Sequence, residues 1–156
     1  MATVLEKLLE RFNPTLSAEA ILTDLELEPQ ADSADSRVLI ARCPLHNEQG
    51  NTSLRVYTGR NCYVCENEKC PGHEEGNLIK LYAKARKLSY EDAGLKLFNT
   101  FGLQTTEENA SLKWNLYIAF AEKLSNEELG QAAKNMLIVA FKEFPRNMVV
   151  ISRLIN

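Results

Sequence analysis

The chain has 156 residues, 45% of them hydrophobic and 25% charged, the ordinary composition of a globular domain. Eighteen Lys and Arg against 21 Asp and Glu give a net charge of −3, which excludes a wholly basic nucleic-acid-coating protein but not a local basic face. The apolar runs fall far short of the ~20 residues of a membrane span, and the start, Met-Ala-Thr-Val-Leu-Glu, lacks a secretory pattern. A cytoplasmic protein with no membrane contact is therefore expected, in which the four Cys are reduced thiols or metal ligands rather than disulfides.

Thr3 and Glu6 form a capping box for a first helix, in which Val4, Leu5, Leu8, Leu9 and Phe12 recur at helical spacing. Asn13-Pro14 ends it. Leu16 to Leu25 reads as a second helix with Ser17 as its cap, and the polar stretch Glu26 to Ser36, with Pro29, reads as a loop. Arg37 to Arg42 is β-branched and apolar and predicts a strand; Leu54 to Tyr57 alternates and predicts another. Thr58 to Asn61 supplies a hairpin turn, from which Asn61 to Tyr63 returns. Helices are then expected over Leu78 to Lys87, after Gly76-Asn77; from Ser89 and Asp92 to about Phe98; from Thr105 and Glu108 to about Lys123; and, with Ser125 and Glu128 as a capping box, to about Phe144. Met148 to Ile155 reads as a final apolar, helical segment.

Charge is distributed in blocks. Residues 1–36 carry a net −6, residues 37–65 a net +3, residues 66–77 a net −3 and residues 78–96 a net +3. The first basic block overlaps the cluster, between residues 43 and 73, that holds every Cys and both His.

That cluster opens with Cys43-Pro-Leu-His46 and, after fifteen residues, continues with Cys62-Tyr-Val-Cys65. Pairs at this spacing fit a tetrahedral Zn2+ site, because a two-residue spacer lets a tight turn aim both ligands at one ion. Four protein ligands leave no open position, so the ion is structural rather than hydrolytic. Cys70-Pro-Gly-His73 repeats the pattern and raises the candidates to six. Cys43, His46, Cys62 and Cys65 form the simplest set; exchange of Cys65 for Cys70 is the main alternative, and Cys70 with His73 as plain loop residues or a second site stays open.

At these residues the chain resembles the zinc-binding domain of bacterial replicative DNA primases, a zinc ribbon with Cys-His-Cys-Cys ligands. The resemblance rests on Cys43-Pro-Leu-His-Asn-Glu48, Thr52-Ser-Leu-Arg-Val56, Cys62-Tyr-Val-Cys65, Gly76-Asn-Leu-Ile79 and Leu88-Ser-Tyr-Glu-Asp-Ala93, in that order, and covers about residues 37–103. It implies an α+β fold: a small antiparallel zinc ribbon flanked by helices, with an all-helical C-terminal extension. Three regions are expected: an N-terminal helical segment (1–36), the primase-like ribbon (37–103) and a helical region (104–156). The family's glycine-rich link after the second knuckle is replaced by Glu66 to Glu75. Residues 104–156 are too few for the family's catalytic domain, so no primer synthesis by this chain alone is expected and no catalytic residue is assigned.

The resemblance implies contact with single-stranded DNA template, beside a primase polymerase domain or a replicative helicase. Strand alternation puts Arg55 and Tyr57 on the face opposite Leu54 and Val56, with Arg60 and Tyr63 in the adjacent turn and strand. Arginine attracts phosphate, and a tyrosine face stacks on unpaired bases; Tyr63 serves either this or packing against a helix. Lys80, Lys84 and Lys87 extend a phosphate track or are ordinary helix charge. The rival expectation is a zinc-stabilised protein-interaction or regulatory module of a primase-like or mobile-element protein, with Leu112, Leu116, Phe120 and Leu124, and Met136, Ala140 and Phe144, as helix faces that dock a partner or pack on each other.

Overall fold

The computed structural model describes residues 2–46 and 52–145. The chain divides into two compact units, Glu10–Phe101 and Met1–Leu9 with Gly102–Asn156. Residues 10–36 lie in the same unit as the ribbon.

The first helix, α1 (Val4–Phe12), begins as its capping box dictates. Glu6 N–H donates to Thr3 Oγ1, and Thr3 N–H donates back to Glu6 Oε2. A single 3₁₀ turn at Asn13–Thr15 follows, then α2 (Ala18–Asp24), capped where Ser17 Oγ accepts from Ala20 N–H. Glu26, in the left-handed region at φ 63°, closes α2, with Leu27 N–H donating to the Leu22 carbonyl.

Five strands, β1 (Gln30–Ala31), β2 (Val38–Ala41), β3 (Leu54–Tyr57), β4 (Cys62–Cys65) and β5 (Gly76–Asn77), form an antiparallel meander in the order of the chain. β1 lies within the stretch read from sequence as loop. It has no alternating apolar pattern of its own and exists by pairing Gln30 with Ile40 and Ala31 with Leu39. Opposite partners Leu54 and Cys65, and Val56 and Tyr63, share the buried face; Arg55 and Val64, and Tyr57 and Cys62, share the outer one.

Helix α3 (Leu78–Arg86) starts where Asn77 Oδ1 accepts from Lys80 N–H, and α4 (Tyr90–Phe101) where Ser89 Oγ accepts from Asp92 N–H. The core of this unit joins Phe12, Ile21, Leu22, Leu54, Val56, Tyr63, Leu78, Leu81, Tyr82 and Leu97, all essentially inaccessible to water. Phe12 meets Phe98 edge to face at 5.8 Å.

In the other unit α5 (Ala110–Asn126) and α6 (Gly130–Glu143) pack as a helical hairpin. Leu112, Leu116, Phe120, Leu124 and Ala140 are buried, so these faces turn inward. Two boundaries differ from expectation. Asn109 N–H donates to Thr106 Oγ1, so the turn into α5 is capped by Thr106, not Thr105. Ser125 lies inside α5 rather than capping α6, because the helix ends in a Schellman motif. Glu128 sits at φ 62°, with its N–H donating to the Ser125 carbonyl, and Leu129 N–H donates to the Leu124 carbonyl. The expected segment Met148 to Ile155 lies outside the described residues. No described helix is long and apolar enough to cross a membrane.

Candidate metal centre

The turn that follows β2 carries Cys43 and His46; the end of β4 carries Cys65; the turn after it carries Cys70. One ligand atom from each of these four lies within 4.8 Å of the others. Cys43 Sγ and Cys70 Sγ are 3.6 Å apart, and Cys65 Sγ and His46 Nδ1 are 3.8 Å apart. A disulfide holds its sulfurs near 2.0 Å, so Cys43 and Cys70 are not bonded to each other. A tetrahedron with metal–sulfur bonds of ~2.3 Å has edges of about 3.8 Å, and these two spacings lie close to that figure.

The backbone around the cluster is arranged for thiolate ligands. Gly72 N–H donates to Cys70 Sγ at 3.3 Å, and the Ser53 hydroxyl lies 3.4 Å from Cys65 Sγ. Cys65 N–H donates to the Gly72 carbonyl and Glu66 N–H to the Ser53 carbonyl, which ties the turn to β3 and β4. Burial, the largest influence on both, pushes the Cys43 and Cys70 thiols up. A divalent cation would offset that burial and hold the sulfurs as thiolates, the better acceptors for the Gly72 N–H at Cys70. Three soft sulfurs, one imidazole and no carboxylate are the donor set of zinc. Cys43, His46, Cys65 and Cys70 would hold the ion. Its charge would join the two turns as a crosslink, with no coordination position left for water.

The placement corrects the ligand set read from spacing. Cys62 lies outside the cluster, and it is Cys62, not Cys65, that gives way to Cys70. The reason is pleating. All of Cys62-Tyr-Val-Cys65 is strand β4, so residues three apart point to opposite faces and cannot share an ion. A C-x2-C knuckle needs a turn, and the β-forming Tyr63 and Val64 supply a strand instead. Cys62 faces Tyr57 and Asn77 across the outer sheet, where burial and then the Glu75 carboxylate push its thiol up to about 11. His73 is outside the cluster too; its Nδ1 lies 2.9 Å from the Cys65 carbonyl oxygen, which fixes that nitrogen as the donor. The signal available in the sequence was the Cys70-Pro-Gly turn.

The residues expected to touch nucleic acid are not all free to do so. Tyr63 is fully buried, its ring wedged so that a Cβ on Gly76 would meet its Cε1 at 2.9 Å and one on Gly72 would meet its Cε2 at 3.3 Å. It is a core residue, not a stacking platform, because it shares the inner face with Leu54 and Val56. Its hydroxyl has no hydrogen-bond partner among the described residues. Arg55 bridges Asp32, at 3.0 Å, and Glu66, the residue after the ligand Cys65; it braces the metal turn. Tyr57 stays half-buried on the outer face, with the Arg60 guanidinium 5.5 Å over its ring. Arg60 also lies 3.6 Å from Glu75.

A meander that brings a Cys-His turn after β2 to a Cys at the end of β4 and a Cys in the turn beyond it defines a zinc ribbon. The CHC2 zinc finger of the DnaG-type zinc ribbon matches residues 6–113, more than half of the chain, and the chain belongs to that family. It is a zinc-binding module. No curated protein and no solved structure matches it significantly.

Proposed function

We propose that this zinc ribbon binds single-stranded DNA template in primase-type initiation of replication, without catalysis of its own. Its partners are then a primase polymerase domain or a replicative helicase, and its compartment the cytoplasm. Membership of the CHC2 family, over a match that includes the ribbon and the helices on either side of it, carries the reading. The outer sheet face supports it: Tyr57 offers a ring for base stacking and Arg60 a cation beside it. The test is fluorescence anisotropy of the zinc-loaded chain with short oligonucleotides. Binding at low salt that weakens steeply at moderate salt is expected. No binding at low salt overturns the proposal.

A second reading has observations of its own. Arg37, Arg55 and Arg60 each lie against a carboxylate, of Asp35, of Asp32 and Glu66, and of Glu75, which offsets the charge of these three arginines. On α6, Leu129, Ile138 and Val139 are 50%, 39% and 48% exposed. These features favour a protein-interaction or regulatory module of a primase-like or mobile-element protein, in which zinc only holds the ribbon.

A further inference from the structure

Three cations without an ion pair among the described residues gather along one helix of the ribbon unit. Each arginine on or beside the strands at 37, 55 and 60 is matched by a carboxylate. Lys80 and Lys84 of α3, and Lys87 at its C-cap with φ 57°, are exposed and make no ion pair among the described residues. Lys80 and Lys84 stand at i and i+4 and so share one face of α3, and Lys87 follows directly at its C-cap. No acidic residue occurs between Gly76 and Tyr90.

Two further observations separate this face from ordinary helix charge. Cations in the last turn of a helix answer its dipole, which accounts for Lys84, Arg86 and Lys87. Lys80 lies in the first turn, where the dipole opposes a cation, so helix stability does not explain it. Arg86 is turned aside to the Asp24 carbonyl and carboxylate. Lys84 Nζ donates to the Pro71 carbonyl at 3.2 Å, which sets the lysine face against the turn that carries Cys70. The opposite side of α3 is anchored by buried Leu78, Ile79, Leu81, Tyr82 and Ala83, so the three ammonium groups stand on a rigid element.

We propose that Lys80, Lys84 and Lys87, with the adjoining metal turn, form the track for the phosphates of a single DNA strand. The proposal rests on the reading of this chain as a single-strand-binding module and moves the electrostatic contact from the sheet arginines to α3. It also gives zinc a functional consequence, since the ion fixes the turn against which Lys84 is seated.

The test uses the full zinc-loaded chain and a fluorescent oligothymidylate of about 15 nucleotides, titrated at several salt concentrations. Each phosphate neutralised on a single strand contributes about −0.7 to the slope of log K against log salt. The triple substitution Lys80→Gln, Lys84→Gln and Lys87→Gln is expected to reduce the slope by about 2 and to weaken binding at least ~10-fold at low salt. Zinc content should be unchanged, because none of the three lysines belongs to the ligand cluster. Lys134→Gln with Lys142→Gln, exposed on α6, removes comparable charge elsewhere and should leave the slope as it was. If the triple variant does not fold, Lys80→Gln alone should lower the slope by about 0.7. A lysine variant that binds with the parent's affinity and slope overturns the α3 track while DNA binding stands, and so does an equal loss in the α6 pair. A parent chain that binds no oligonucleotide overturns the proposed function and the track with it.

Discussion

Asn13 and Asn61, 48 residues apart, exchange hydrogen bonds inside the ribbon unit. Asn13 Nδ2 donates to the Asn61 carbonyl at 2.9 Å, and Asn61 Nδ2 donates to the Asn13 carbonyl at 2.9 Å and the Leu16 carbonyl at 2.7 Å. Asn13 Oδ1 accepts from Leu78 N–H, at the start of α3. Both side chains are buried, and Asn61 sits at φ 49°, a left-handed conformation that asparagine tolerates better than most residues. One pair of amides thus ties the 3₁₀ turn after α1, the β3–β4 hairpin turn and α3 together.

Asn13→Ala leaves the Leu78 amide and the Asn61 carbonyl buried without partners. At about 1–3 kcal/mol for each orphaned group, a loss of about 2–6 kcal/mol is expected. It should appear as a lower urea midpoint with an unchanged slope. Asn61→Ala should cost a similar amount, and the double variant clearly less than the sum, since the two residues share their bonds. Additive losses would show that the pair does not act as a unit.

The metal assignment separates four cysteines that look alike in sequence. Cys70→Ser and Cys65→Ser should each lower zinc affinity by more than about 100-fold, beyond the loss of a mere outer-shell partner. Cys62→Ser should retain one zinc per chain. Chelation of the parent should release that zinc and lower the melting temperature, because the ion is the crosslink between the two turns. Zinc retained by Cys70→Ser but lost from Cys62→Ser would reverse the assignment.

Gly76 has no room for a side chain. A Cβ there would stand 2.9 Å from Tyr63 Cε1 and 3.2 Å from its hydroxyl, and the fully buried ring has no free space to retreat into. Gly76→Ala is expected to destabilise the chain by about 1–3 kcal/mol, the cost of overpacking a core. Tyr63→Phe should cost little, because the hydroxyl it deletes has no partner among the described residues. A large loss from Tyr63→Phe would mean that this hydroxyl is satisfied in solution.

Local chemistry was legible in the sequence. The caps at Thr3 with Glu6, Ser17 and Ser89 with Asp92 depend on bonds spanning three residues. Strands β2 and β3 follow from their residue types. What depends on distant partners was not legible. β1 is a strand only because β2 is beside it. Arg55 reads as an exposed phosphate contact until Asp32 and Glu66 are placed on either side of it. The zinc set turned on whether Cys62 to Cys65 is a turn or a strand, a choice made by pairing with β3 and β5 rather than by spacing. The end of α5 lacked its usual marker, since Glu128 takes the left-handed position where glycine is common.

The helical hairpin carries its own acid-sensitive clasp at Glu143. Lys113 Nζ lies 2.6 Å from its Oε1, the Thr105 hydroxyl donates to the same oxygen, and the Tyr117 hydroxyl donates to Oε2 at 2.7 Å. A carboxylate in the last turn of α6 is opposed by the helix dipole, and Lys113 on α5 offsets that opposition. Burial alone would raise the Glu143 carboxyl, but the bonds from Lys113, Thr105 and Tyr117 together hold it below its ordinary value of 4.5. A carboxyl lowered on folding stabilises the fold fully above its unfolded value, and that contribution is lost as pH falls through the folded one. The parent should therefore exceed Glu143→Gln in stability at pH 7, and the gap should close below the ordinary carboxyl range. Zinc release in acid lowers both proteins alike, so the difference between their urea midpoints isolates the clasp. A gap that persists undiminished at acid pH would show that packing of the side chain, not its charge, holds α6 to α5.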